Sequence, residues 1–353
     1  MNTADYRMAL DRLRAILALL GKDANLSEIV QGRDVVLARY QPIFSAAEIK
    51  RLTQDQFKSF LIFENNRHWT GLNRKGSRAC QDIAALRKAL ALLLDDSKPL
   101  DQRMNKVADE VPGMGKALIT AILLVSYPAK YGVWNGTSEA ALKMLKVWPQ
   151  FDRGATFGAR YIAVNQTLHQ LAKDLSTDLW TLDALFFRVA GPEDPGGSEP
   201  PPPTDQPSQD EAQRFGLERH LHEFLRDNWA KMPLGKEWNI YAEQGDEEAG
   251  YEYPTDIGRI DLLAKHRSKP RWLVVELKRA QTSDETVGQV LRYMAWVRRH
   301  LAQKAETVEG LIICHEADDR LRYAVSEIPN VSVHLYEVSF TLRPDPKALR
   351  GND

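Results

Sequence analysis

The chain has 353 residues, 43% of them hydrophobic and 27% charged, with a net charge of −1. That length is too great for one small core and suits two domains, each large enough to fold alone. No apolar run reaches the roughly 18 residues of a spanning helix, and charges run through the N-terminus, so neither a membrane span nor a secretory leader is supported and a cytoplasmic location is expected.

The charge is unevenly spread: residues 1–190 sum to +7, residues 191–213 to −6 and residues 214–353 to −2. A positive excess suits a domain that touches a phosphate backbone, although many basic domains bind nothing. The two cysteines, Cys80 and Cys314, lie in different halves without CxxC spacing, which argues against a zinc site or a disulfide framework.

Residues 1–190 read as helical throughout, with 3.6-period runs such as "RMALDRLRAILALL" and "DIAALRKALALLL". Within them, "FENNRHWTGLNRKGSRAC" sets Arg67, Arg74, Lys75 and Arg78 among Trp69 and two glycines. Cations near an exposed aromatic suit backbone contact and base stacking; a solvated loop with a buried Trp69 is the alternative. Further on, "VPGMGKALITAILLVSYPAKYGVWN" places Gly113 and Gly115 in a tight turn before an apolar helix, where free amides and Lys116 would suit a phosphate. A plain helix-capping turn is the competing reading. The stretch resembles the helix-hairpin-helix element of base-excision DNA glycosylases, which implies DNA binding. Asn135 stands where that pattern has its catalytic Asp, and Ala117 where bifunctional members carry Lys, so the resemblance implies a recogniser rather than a base-excising enzyme.

"GPEDPGGSEPPPPTDQPSQDE" has no large apolar residue and only negative charge. Residues 191–213 are therefore expected to be a disordered tether, with a second domain at 214–353. There, an amphipathic helix from Phe215 precedes the strand-like runs "EWNIYAE", "IGRIDLLAKH" and "RWLVVELKR". A long helix, the strand "VEGLIICHE", a helix and the strand "NVSVHLYEVSF" follow, which gives an α/β core with a mixed sheet. Residues two apart on a strand share a face, so Glu276 and Lys278 emerge together, and the turn "RSKP" folds Asp261 back beside them. Two neighbouring carboxylates call for a cation, and Mg²⁺ or Mn²⁺ held by Asp261, Glu276 and the Leu277 carbonyl would answer them, with Lys278 helping to activate water against a phosphodiester. Ion pairs at strand ends are the alternative for any one of these residues.

"GRID", "VVELKRA" and "VGQVLRYM", in that order, resemble the PD-(D/E)XK nuclease superfamily, and in particular the C-terminal domain of the NucS/EndoMS and RecB-like endonucleases. The resemblance implies a restriction-endonuclease-like fold over roughly residues 214–342. It assigns catalytic roles to Asp261, Glu276 and Lys278, to Gln289 and Tyr293 of the following helix, and to Glu218 on the first helix. Arg259 and Arg279 flank the acids and are candidates for DNA contact. The whole reads as a metal-dependent DNA endonuclease for repair, restriction or phage defence, with a homodimer left open. The alternatives are a DNA binder using a nuclease-like platform, which the intact acid, acid, lysine set weighs against, and a two-step excision and strand-cleavage enzyme, which Asn135 weighs against.

Overall fold

The computed structural model describes residues 2–190, 221, 222, 224–282 and 284–337, without the side chains of 74, 75, 279–282 and 284. Contacts divide the chain into two compact units, Met1–Thr204 with Ile240–Ile260, and Asp205–Asn239 with Asp261–Asp353. The division departs from the simple split at residue 214 expected from composition. Ile240–Ile260 belongs in sequence with the second domain and packs with the helices of the first.

The first unit is helical apart from that segment. Its centre is the helix Lys116–Ser126, in which Leu118 to Val125 are all buried. A helix apolar on every side has to be enclosed by others. Tyr40, Phe57, Phe60, Phe157, Tyr161, Trp180 and Phe186 are buried in the same core. Short polar side chains start these helices: Asp23, Thr53, Asp82 and Thr156 each accept a backbone N–H of the first turn.

The C-terminal region carries a mixed six-stranded sheet, made of β1 (Trp238–Ile240), β2 (Tyr251–Thr255), β3 (Gly258–His266), β4 (Arg271–Thr282), β5 (Thr307–Ala317) and β6 (Val331–Leu335). The order is β1-β3-β4-β5-β6, with β2 paired to β3. β3 runs antiparallel to β4, whereas β4, β5 and β6 are parallel. The helix Asp284–His300 makes the crossover from β4 to β5, and Asp319–Ser326 the one from β5 to β6. β2, "YEYPT", is a strand beyond those expected from the sequence. The first helix is described only from residue 221, so most of the run from Phe215 lies outside the described residues.

Val274, Val275 and Leu277 of β4 and Leu311 to Cys314 of β5 are buried, as expected for parallel strands covered on both faces. Val287, Val290, Met294 and Val297 form the buried stripe of the crossover helix. That helix comes unusually close at Gly310. A Cβ there would lie 2.5 Å from Val290 Cγ1 and 2.8 Å from Met294 Sδ. The close approach fixes the height of the helix above the sheet. Gly310→Ala should lower stability by about 1–3 kcal/mol through overpacking, read as a lowered midpoint in chemical denaturation of the full chain.

Candidate active site

β3 and β4 pair with Leu262 opposite Val275, and continuing that register by one place sets Asp261 opposite Glu276. Opposed residues of an antiparallel pair share a face. Asp261 is locked there by main chain: its Oδ2 accepts the Leu277 amide at 2.7 Å. On β4, Glu276 is only 2% exposed. Its Oε1 accepts from Lys278 Nζ at 3.0 Å, and the same ammonium donates to Gln289 Oε1 at 3.1 Å. Gln289 reaches it from the crossover helix, and Tyr293, one turn on, is buried beside the sheet. The structure thus brings Asp261, Glu276, Lys278 and Gln289 into one constellation.

Sequence reasoning missed His222. Its Nε2 lies 2.9 Å from the Asp261 carbonyl oxygen, which can only accept, so the ring nitrogen donates. His222 follows Glu218 by four residues, the spacing of one helix face, and that spacing was the available signal. Glu218 itself, and the side chains of Arg279, Arg74 and Lys75, lie outside the described residues.

Residues 239–327 match the family model of the Endonuclease NucS C-terminal domain. The matched span contains Asp261, Glu276, Lys278, Gln289 and Tyr293 and gives this domain an endonuclease-type fold. No curated protein and no solved structure matches the chain.

The DNA-contact candidates of the first unit are largely engaged inside it. Trp69 is buried, and its Nε1 donates to Asp183 Oδ2 at 2.9 Å, so the exposed stacking aromatic is corrected to a core residue. The same oxygen lies 2.6 Å from His68 Nε2, and the imidazole stacks on Trp180. Arg67 is an exposed helix C-cap at φ 54°, and Arg78, also exposed, pairs with Glu247 at 3.2 Å. Arg259 donates to the Ala190 carbonyl. Asn135 caps the helix Gly136–Met144, accepting the Ser138 amide at 2.8 Å.

Gly113, at φ 87°, turns the chain between the helices Leu100–Glu110 and Lys116–Ser126. The amide of Lys116, expected to face a phosphate, donates instead to the Gly245 carbonyl at 2.7 Å. Its side chain, 9% exposed, lies 2.8 Å from Glu139 and 3.2 Å from Asp246. Lys116 is therefore a buried ion-pair residue in this structure and not a surface cation. Glu139 also accepts from Lys143 at 2.7 Å and from Trp134 Nε1 at 3.0 Å. Burial pushes the Glu139 carboxyl up, but Lys116 and Lys143 outweigh it and hold the group well below the usual range. Burial likewise pulls Lys116 down, and Glu139, Asp246 and Glu243 carry it well above its ordinary value.

The signs set a pH window. Glu139 contributes stability above the ordinary glutamate value of 4.5 that is lost as pH falls further. Lys116 contributes stability below the ordinary lysine value of 10.5 that is lost as pH rises further. Thermal melts of the full chain should show these contributions intact between the two values, and Glu139→Gln should flatten the acid limb. Glu139→Gln should itself cost about 3–5 kcal/mol, because it leaves two lysines short of a buried partner. Asp183→Leu should cost about 3 kcal/mol by stripping the partner from Trp69 and His68, read by tryptophan fluorescence during urea unfolding.

Proposed function

We propose that the protein is a metal-dependent DNA endonuclease that hydrolyses phosphodiester bonds, with Asp261, Glu276 and Lys278 at its centre. The observation that carries this reading is the placement of two carboxylates and one ammonium by two paired strands, inside the span that matches the endonuclease family model.

The donor set fits a hard divalent ion. Mg²⁺ needs only one or two carboxylates, because it keeps several waters and takes further oxygens from the substrate. Asp261 and Glu276 would hold Mg²⁺ or Mn²⁺, and the ion would supply Lewis-acid polarisation of the phosphodiester and make the attacking water more acidic.

The chain's own groups do the rest. The Leu277 amide fixes the Asp261 carboxylate in one orientation, so no reorganisation is needed when substrate arrives. Lys278 is 29% exposed, which leaves its ammonium within reach of a substrate phosphate while Glu276 and Gln289 hold it in place. It would stabilise charge developing on the phosphoryl oxygens. Tyr293 backs the same helix face as Gln289. The helical unit, whose sequence through residue 190 carries the +7 excess, would read DNA structure or modified bases, in repair or in defence against phage. Its surface cations, Arg67 among them, are better placed for this than the buried Lys116.

Purified protein is expected to cut DNA in Mg²⁺ or Mn²⁺ and to be silenced by chelation, in a screen over plain, mismatched, flapped, uracil-containing and methylated duplexes. Asp261→Ala should abolish cleavage with DNA binding retained, and Lys278→Met should slow it on the order of 10²–10³-fold. Persistent cutting by a pure Asp261→Ala preparation would refute the assignment.

A further inference from the structure

The turn between Leu100–Glu110 and Lys116–Ser126 is occupied by the chain's own segment Ile240–Ile260. Contacts along that segment are polar and specific. Glu243 pairs with Arg160 at 3.2 Å, and Gln244 Oε1 accepts the Phe157 amide at 3.2 Å. Gly245 takes the Lys116 amide, Asp246 the Lys116 ammonium, and the Pro254 carbonyl accepts from Lys143 Nζ at 2.9 Å. Arg259 closes the far end on the Ala190 carbonyl.

Gly115 shows that the turn is shaped for this occupant. Its φ of −97° is open to any residue, so backbone freedom is not why it is glycine. A Cβ there would lie 2.7 Å from the Gly245 carbonyl oxygen, which is inside contact distance. The segment then runs directly into the candidate site. β2 and β3 are paired, and the turn between them is fixed by Thr255, whose hydroxyl donates to the Gly258 carbonyl at 2.6 Å. Ile260 is fully buried and is the last residue of the first unit, and Leu262 is the first residue of β3 in register with β4. Asp261 is the single residue between them.

We propose that the Gly113–Lys116 turn is the socket of an intramolecular clasp on Ile240–Ile260, and that the clasp positions Asp261 by fixing the start of β3. Lys116 and Asp246 are then positioning residues, and a change at the turn of the helical unit is passed along β2 and β3 to the carboxylate. For its bearing on catalysis the proposal rests on the nuclease reading above.

The test compares full-length Gly115→Ala with Gly136→Ala, a glycine of the same unit where an added Cβ meets nothing within 4 Å. Hydrogen exchange is expected to rise about tenfold or more across residues 240–262 in Gly115→Ala, with the helices still protected, and to stay unchanged in Gly136→Ala. Asp246→Asn, which removes a charge without adding volume, should loosen the same residues. Mg²⁺-dependent cleavage should fall in kcat, with KM for DNA held, in Gly115→Ala and Asp246→Asn. Unchanged exchange in both variants would overturn the clasp, and so would a rise within 240–257 that leaves 258–262 unaffected. If the parent protein cuts no DNA under any condition, the nuclease reading fails and the exchange pattern still decides the clasp.

Discussion

A carboxylate removed from water has to be answered inside the protein, and that constraint organises both units. Glu276 is 2% exposed and Glu139 is 7% exposed, and each is met by lysine at hydrogen-bond distance. A buried pair of this kind gives little net stability compared with apolar packing, but breaking it is costly, so it fixes geometry more than it adds energy. In the sheet it fixes Lys278 beside Glu276. In the helical unit it fixes a loop that arrives from elsewhere in the sequence.

The two lysines differ in what remains to them. Lys116 is shared by Glu139 and Asp246, its ring neighbour is Trp134 at 5.4 Å, and it is almost closed to solvent. Lys278 meets the Glu276 carboxylate and the Gln289 amide oxygen and is 29% exposed. An ammonium closed off between two anions has little to offer an incoming phosphate, whereas one that is 29% exposed can still approach it. The contrast favours the strand pair over the Gly113–Lys116 turn as the place for the proposed phosphate chemistry.

Most of the candidate site was legible because strand periodicity is short-range. The ExK spacing of Glu276 and Lys278 puts both on one face wherever the strand lies, and Gln289 and Tyr293 share a helix face by the same local geometry. Asp261 needed one further step, a turn of four residues, and the sequence "RSKP" supplied it. His222 was hidden because its partner is a backbone carbonyl 39 residues away, which leaves no trace in side-chain pattern. Trp69 and Lys116 were misplaced for a related reason. A local run of cations, glycines and aromatics reads the same whether it faces solvent or a buried acid, and the acids here, Asp183 and Asp246, are 114 and 130 positions away.

By itself the sequence determined the helical character of the first domain, the mixed sheet of the second and the order of acids and lysine on its strands. All of these follow from patterns repeating every two to four residues. Tertiary structure alone decided that Ile240–Ile260, with β2 still paired to β3, would pack with the helices of the first unit, because that choice involves buried charge pairing over long chain separations. A one-dimensional pattern carries no information about which distant carboxylate will answer a given lysine once both are closed off from water.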